Sequence, residues 1–152
     1  MLKIVYTIFF SALMGLTGFA QIENPVKWSY TAKKLADKTY ELHLTAQIDP
    51  KWHLYAQDAG EGPEPTTISF DKNPLVKLEG AVVESGKLEK SYDPNFQSTL
   101  KYYSNKVDFI QKVKLKSSAA TLVKGTVTYM VCNDNRCLPP KSVPFSVKID
   151  GK

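Results

Sequence analysis

The chain has 152 residues, 20 of them basic and 15 acidic, for a net charge of +5. The lysines are scattered and Arg136 is the sole arginine, which argues against a nucleic-acid surface, where Arg and Lys gather on one face. About 130 residues beyond an N-terminal leader suffice for one domain with a sizeable core, and none of them forms a run apolar enough to cross a membrane.

Residues 1–20 have the pattern of a signal peptide. Lys3 supplies the positive start, Ile4 to Phe19 is apolar, and Gly18-Phe19-Ala20 makes a small-x-small cleavage site. Cleavage near Ala20/Gln21 leaves residues 21–152 as the mature domain, with 19 basic and 15 acidic residues once Lys3 is lost. No cysteine lies near that site, so a lipid anchor is not expected, nor is stable membrane insertion after cleavage. Export puts the cysteines in an oxidising compartment, where disulfides persist.

Along the mature chain the apolar period is two. A first short strand is expected over Lys27–Thr31. Tyr40, Leu42, Leu44, Ala46 and Ile48 then alternate with Glu41, His43, Thr45 and Gln47, the mark of a half-buried strand. Trp52–Ala56, Thr66–Phe70, Val76–Val83 and Lys87–Tyr92 are shorter candidates. Val107, Phe109, Val113 and Leu115 define another strand, residues 121–131 the next, and Val143 to Ile149 the last. Asp49-Pro50, Asn73-Pro74, Asp93-Pro94 and Asn133 to Asn135 punctuate them as turns, and Gly60 to Pro65 reads as a surface loop. Trp28 and Trp52 read as core or sheet-face aromatics. No segment has a sustained helical period. The fold expected is all-β, an immunoglobulin-like antiparallel β-sandwich in a single domain.

The chemistry-bearing stretch is Cys132-Asn133-Asp134-Asn135-Arg136-Cys137-Leu138-Pro139-Pro140, which holds the only two cysteines. Asn and Asp suit a turn, and a four-residue loop sets the cysteines opposite each other at a separation a disulfide accepts. As a staple such a bridge is weak, because closing six residues removes only about 2 kcal/mol of unfolded-state entropy. Spacing alone leaves staple and redox pair both open. Arg136 and Lys141 favour a thiolate nearby, Asp134 opposes it, and Pro139-Pro140 stiffens the Cys137 side. Zinc would need Cys132, Cys137, His43 and His53 together, in a spacing that matches no zinc motif; Met130, Cys132 and His53 are soft enough for copper(I). No metal or cofactor is expected.

Val127-Thr128-Tyr129, Cys132 and Cys137-Leu138-Pro139-Pro140 together resemble the N-terminal periplasmic domain of the thiol:disulfide interchange protein DsbD. Trp52-His53-Leu54-Tyr55 is similar to that family's tyrosine-rich strand, and Tyr92 to Lys106 to its cap-loop region, so the resemblance runs through nearly the whole mature chain. It implies an immunoglobulin-like sandwich in the periplasm that passes electrons between thioredoxin-fold proteins. It further implies Cys137 as the attacking thiol, Cys132 as the resolver, Phe96 as an aromatic cap, and His53 and Tyr55 at positions of active-site tyrosines. Three departures stand out. The loop between the cysteines has four residues, one fewer than in the best-known members. The acidic pair before the cap is replaced by Pro94 and Asn95, with Asp93 one place further off. His53 replaces a tyrosine. The family's membrane and C-terminal domains are not in this sequence, so a standalone module with a separate electron donor is expected. The rival readings are an immunoglobulin-like binding domain with a structural hairpin disulfide and a thiol-bearing metal- or cofactor-assembly accessory.

Overall fold

The structure is a computed structural model and describes residues 23–94 and 96–151. The segment 1–20, expected to be a signal peptide, and Asn95 lie outside the described residues. Among the described residues, nine strands form two antiparallel sheets: β1 (Val26–Ala36), β2 (Thr39–Ile48), β3 (His53–Tyr55), β4 (Thr67–Phe70), β5 (Val76–Asp93), β6 (Ser98–Leu115), β7 (Thr121–Tyr129), β8 (Val131–Cys132) and β9 (Lys141–Ile149). The larger sheet runs β1-β2-β6-β3-β8 with β5 also on β6, and the smaller runs β4-β7-β9. The expected all-β immunoglobulin-like sandwich is the fold observed.

Alternation builds the core as anticipated. Tyr40, Leu42, Leu44, Ala46 and Ile48 of β2 are buried, as are Val107, Phe109, Val113 and Leu115 of β6. They meet Val123, Val127 and Tyr129 of β7 and Phe145, Val147 and Ile149 of β9 across the sandwich. Trp28 closes one side, its ring centroid 5.9 Å from Phe109 and 5.4 Å from Tyr129. Pro144 is tolerated in β9 because that strand is an edge, paired only with β7.

The largest departures from the expected boundaries each have a physical reason. β1 continues to Ala36 on exposed, lysine-rich residues, because it pairs with β2 down to a turn at Lys38 (φ 54°). The two segments Val76–Val83 and Lys87–Tyr92 are one strand, β5, whose register against β6 shifts between Glu79 and Val83 and again between Gly86 and Leu88. Such bulges scramble the period of two that marks a strand in sequence. β6 starts at Ser98, nine residues before the Val107 of its apolar run. Asn105 sits in the left-handed region (φ 65°), and the interruption it makes separates the two halves. The lower half pairs with β2 and the upper half with β3.

The stretch 121–131 is also not one strand. β7 ends at Tyr129 in the smaller sheet, and Val131–Cys132 cross to pair with β3 in the larger one. That change of sheet brings the cysteine loop beside His53, the first residue of β3.

Candidate functional site

β3 is three residues long and places two groups by alternation. Leu54 points into the core, opposite Tyr103 and Val131, and all three are buried. His53 and Tyr55 point to the other face. Cys132 is the cross-strand partner of His53, and Tyr102 that of Tyr55, so these four share that face. Tyr102 and Tyr103 thus divide: one borders the site and the other is core.

Cys132 and Cys137 form a disulfide with Cα atoms 4.0 Å apart. The turn between them is built as its residues suggest: Asn133 Oδ1 accepts from the backbone N–H groups of Asn135 and Arg136, each at 2.9 Å. Leu138 N–H donates to the Val131 carbonyl at 2.9 Å and fixes the exit toward Pro139. The two sulfur-bearing residues differ in surroundings. Cys132 is only 2% exposed and packs in a small second core with Tyr55, Ala59 and Leu100. Cys137 is exposed.

Tyr55 Oη donates to Cys132 Sγ at 3.2 Å. Burial, reinforced by Asp93 and Tyr102, pushes the Tyr55 phenol up to about 12, so it remains a neutral donor. The His53 ring stands edge-on to Tyr55, centroids 5.4 Å apart, and 4.5 Å from Tyr102. Burial lowers the His53 pKa, while Asp134, Glu89 and Asp93 pull against it.

The β5–β6 hairpin carries the opposite wall. Asp93 closes β5, and its Oδ1 accepts from Phe96 N–H at 3.4 Å. Phe96 is 36% exposed and lines a cavity of about 350 Å³ together with both cysteines. All seven residues singled out from sequence, Cys132, Cys137, Phe96, Tyr55, His53, Asp93 and Arg136, line this one cavity. Arg136 is turned to an acidic partner, forming an ion pair with Glu23 just before β1; beside it Lys141 Nζ donates to Asn24 Oδ1 at 2.8 Å.

The loop from Gly60 to Pro65 is more than a plain surface connection. Glu61 N–H donates to Ser98 Oγ at 3.1 Å, Lys101 N–H donates to the Ala59 carbonyl at 3.0 Å, and Lys101 pairs with Asp58. Gly62 (φ +123°) lies against the Phe96 ring, where a β-carbon would stand 2.1 Å from Cδ1. Sequence reasoning missed Gly62 and Glu23. A Gly-x-Gly-Pro stretch looks like any turn, and Glu23 lies 113 residues from Arg136.

The two histidines do not converge on one site. On β2, His43 Nδ1 lies 2.6 Å from Oδ2 of Asp108 on β6, and Thr45 Oγ1 donates to the other carboxylate oxygen at 3.0 Å. Its partner on β6 is Ile110 and that of His53 is Ser104, six positions or roughly 20 Å along the strand.

Fold and site together define a class: an immunoglobulin-like sandwich that displays a short-loop disulfide in a cavity, one cysteine buried and the other exposed. The family model described as thiol:disulfide interchange protein DsbD, N-terminal, matches residues 23–148, and the chain belongs to that family. The fold is similar to the N-terminal periplasmic domain of ScsB from Proteus mirabilis (TM-score 0.54, 18% identity), over 82% of this chain and 45% of that one, so it spans less than half of that relative. It is also similar to the reduced DsbD N-terminal domain of Neisseria meningitidis (TM-score 0.53, 17% identity), over 80% of this chain and 83% of that one. A comparison with curated proteins found no match.

Proposed function

We propose that this chain is an exported thiol–disulfide exchange module that passes electrons between protein partners through Cys132 and Cys137. The observation that carries this reading is the unequal burial of the pair: Cys132 is 2% exposed and Cys137 is exposed at the cavity. A staple has no need of that asymmetry, whereas exchange does, because one sulfur must be reached by a partner and the other must wait behind it.

In the reduced module the Cys137 thiolate attacks a sulfur of the partner's disulfide. A Cys137–partner bond forms, and the partner's second sulfur leaves as a thiolate. Cys132 thiolate then attacks Cys137, the Cys132–Cys137 bond forms, and the partner's other sulfur leaves. Two electrons have moved to the partner, and a donor dithiol reverses the sequence to reduce the module again. Phe96 acts as the cap that limits access to the pair. The partners are thioredoxin-fold proteins of the periplasm, as family membership and the leader-like residues 1–20 support. No small-molecule cofactor enters the cycle.

The reduction potential of the purified mature protein, equilibrated against glutathione, tests this. A readily reduced pair is expected. A potential below about −300 mV is that of a structural bridge and would favour a non-catalytic immunoglobulin-like domain instead.

A further inference from the structure

We propose that His53 is the proton acceptor for Cys132 in the step that closes the disulfide and releases the partner. The inference rests on the exchange reading above and adds to it the route of a proton.

The need for a base follows from burial. Cys132 is 2% exposed and packs against Tyr55, Ala59 and Leu100. A thiol there has little water to take its proton, and apolar surroundings disfavour its thiolate. Cys137 is exposed and can lose its proton to solvent.

Two polar side chains flank Cys132 across and along β3. Tyr55 directs its O–H at Cys132 Sγ from 3.2 Å and keeps its proton to about pH 12, so it stabilises a thiolate but does not generate one. His53 is the cross-strand neighbour of Cys132 on the same face and lines the same cavity as both cysteines. Burial holds its imidazole neutral, with a lone pair to offer, at neutral pH. Carboxylates face it from two elements, Asp134 on the cysteine loop and Glu89 and Asp93 on β5, and favour the imidazolium once it forms. From β6 it meets the Tyr102 ring and pairs with Ser104; Arg136, also lining the cavity, is engaged by Glu23.

The step balances within the site. With Cys137 bonded to the partner's sulfur, Cys132 Sγ–H gives its proton to His53. The thiolate attacks Cys137 Sγ, the Cys132–Cys137 bond forms, and the departing sulfur takes the bond's electron pair. The imidazolium returns its proton to that thiolate or to solvent.

A small aromatic disulfide, 5,5′-dithiobis(2-nitrobenzoate), isolates this step. Reduced protein should release two equivalents of coloured thiolate, the first as Cys137 attacks and the second as Cys132 resolves. In the native protein the second phase should be nearly flat from neutral pH upward and fall in acid as His53 is protonated. In His53→Gln and in His53→Tyr, which keeps an aromatic ring for packing, the second phase should slow about 100-fold near pH 7. It should then rise steadily with pH, with the first phase little changed. A second phase of unaltered rate and pH profile in either folded variant overturns the inference. The two claims fail separately. His53-dependent resolution without any protein trapped on Cys137 would leave the proton route standing and remove the exchange reading. Trapped partners with His53-independent resolution would do the reverse.

Discussion

The Phe96 ring rests on the α-carbon of Gly62, so close that a β-carbon there would stand 2.1 Å from Cδ1. The Gly60–Pro65 loop is therefore the seat of the hairpin tip, and the absence of a side chain at residue 62 lets the ring lie down beside the cysteine cavity. Gly62→Ala should displace the ring and also strain a backbone that is left-handed at φ +123°, at a cost of about 1–3 kcal/mol. Alkylation of the reduced thiols by iodoacetamide should speed up several-fold, as it should in Phe96→Ala. Unchanged alkylation in both variants would dismiss Phe96 as a cap.

Tyr55 links the sulfur to pH. Its folded-state pKa is raised, to about 12 against the ordinary 10, so its contribution to stability is complete below pH 10 and is lost as pH rises toward 12. The difference is worth on the order of 2–3 kcal/mol. Denaturant melts should show stability declining above pH 10, with a shallower decline in Tyr55→Phe. The same substitution removes the hydrogen bond to Cys132 Sγ and should cost about 1 kcal/mol at neutral pH. Parallel alkaline declines in both proteins would contradict the assignment.

Glu23 engages the guanidinium of Arg136, the residue before Cys137. Their ion pair is exposed, so Glu23→Gln should change stability by less than about 1 kcal/mol. Its effect should fall on reactivity instead. With its partner's charge removed, Arg136 is free to favour the Cys137 thiolate, and the pH profile of Cys137 alkylation should move to lower pH. Arg136→Ala should move it the other way. A profile indifferent to both changes would detach Arg136 from the chemistry of the thiol.

How far the sequence reached depends on how local each signal was. β2 was legible because Tyr40 to Ile48 alternate without a break and one face is buried throughout. The upper half of β6 was not, because Asn105 interrupts the apolar run and the residues above it pair with a different strand. The turn chemistry of Asn133 to Arg136 was readable, since Asn133 Oδ1 bonds only its near neighbours. The unequal exposure of the two cysteines was not readable. It arises where the chain leaves β7 for β8 at Met130, a crossing between sheets that leaves no mark in the period of two. Gly62 beneath Phe96 belongs to the same class, being a meeting of loops 34 positions apart.

The central claim is that Cys137 receives the partner and Cys132 releases it. Its most direct measurement is mixed-disulfide trapping in the periplasm, the compartment proposed above. Cys132→Ala should accumulate covalent adducts with thioredoxin-fold proteins, reducible by dithiothreitol and absent from the double variant Cys132→Ala/Cys137→Ala. Adducts formed only by Cys137→Ala would reverse the two roles, and no adduct from either single variant, where a known exchanger gives one, would contradict the exchange function itself.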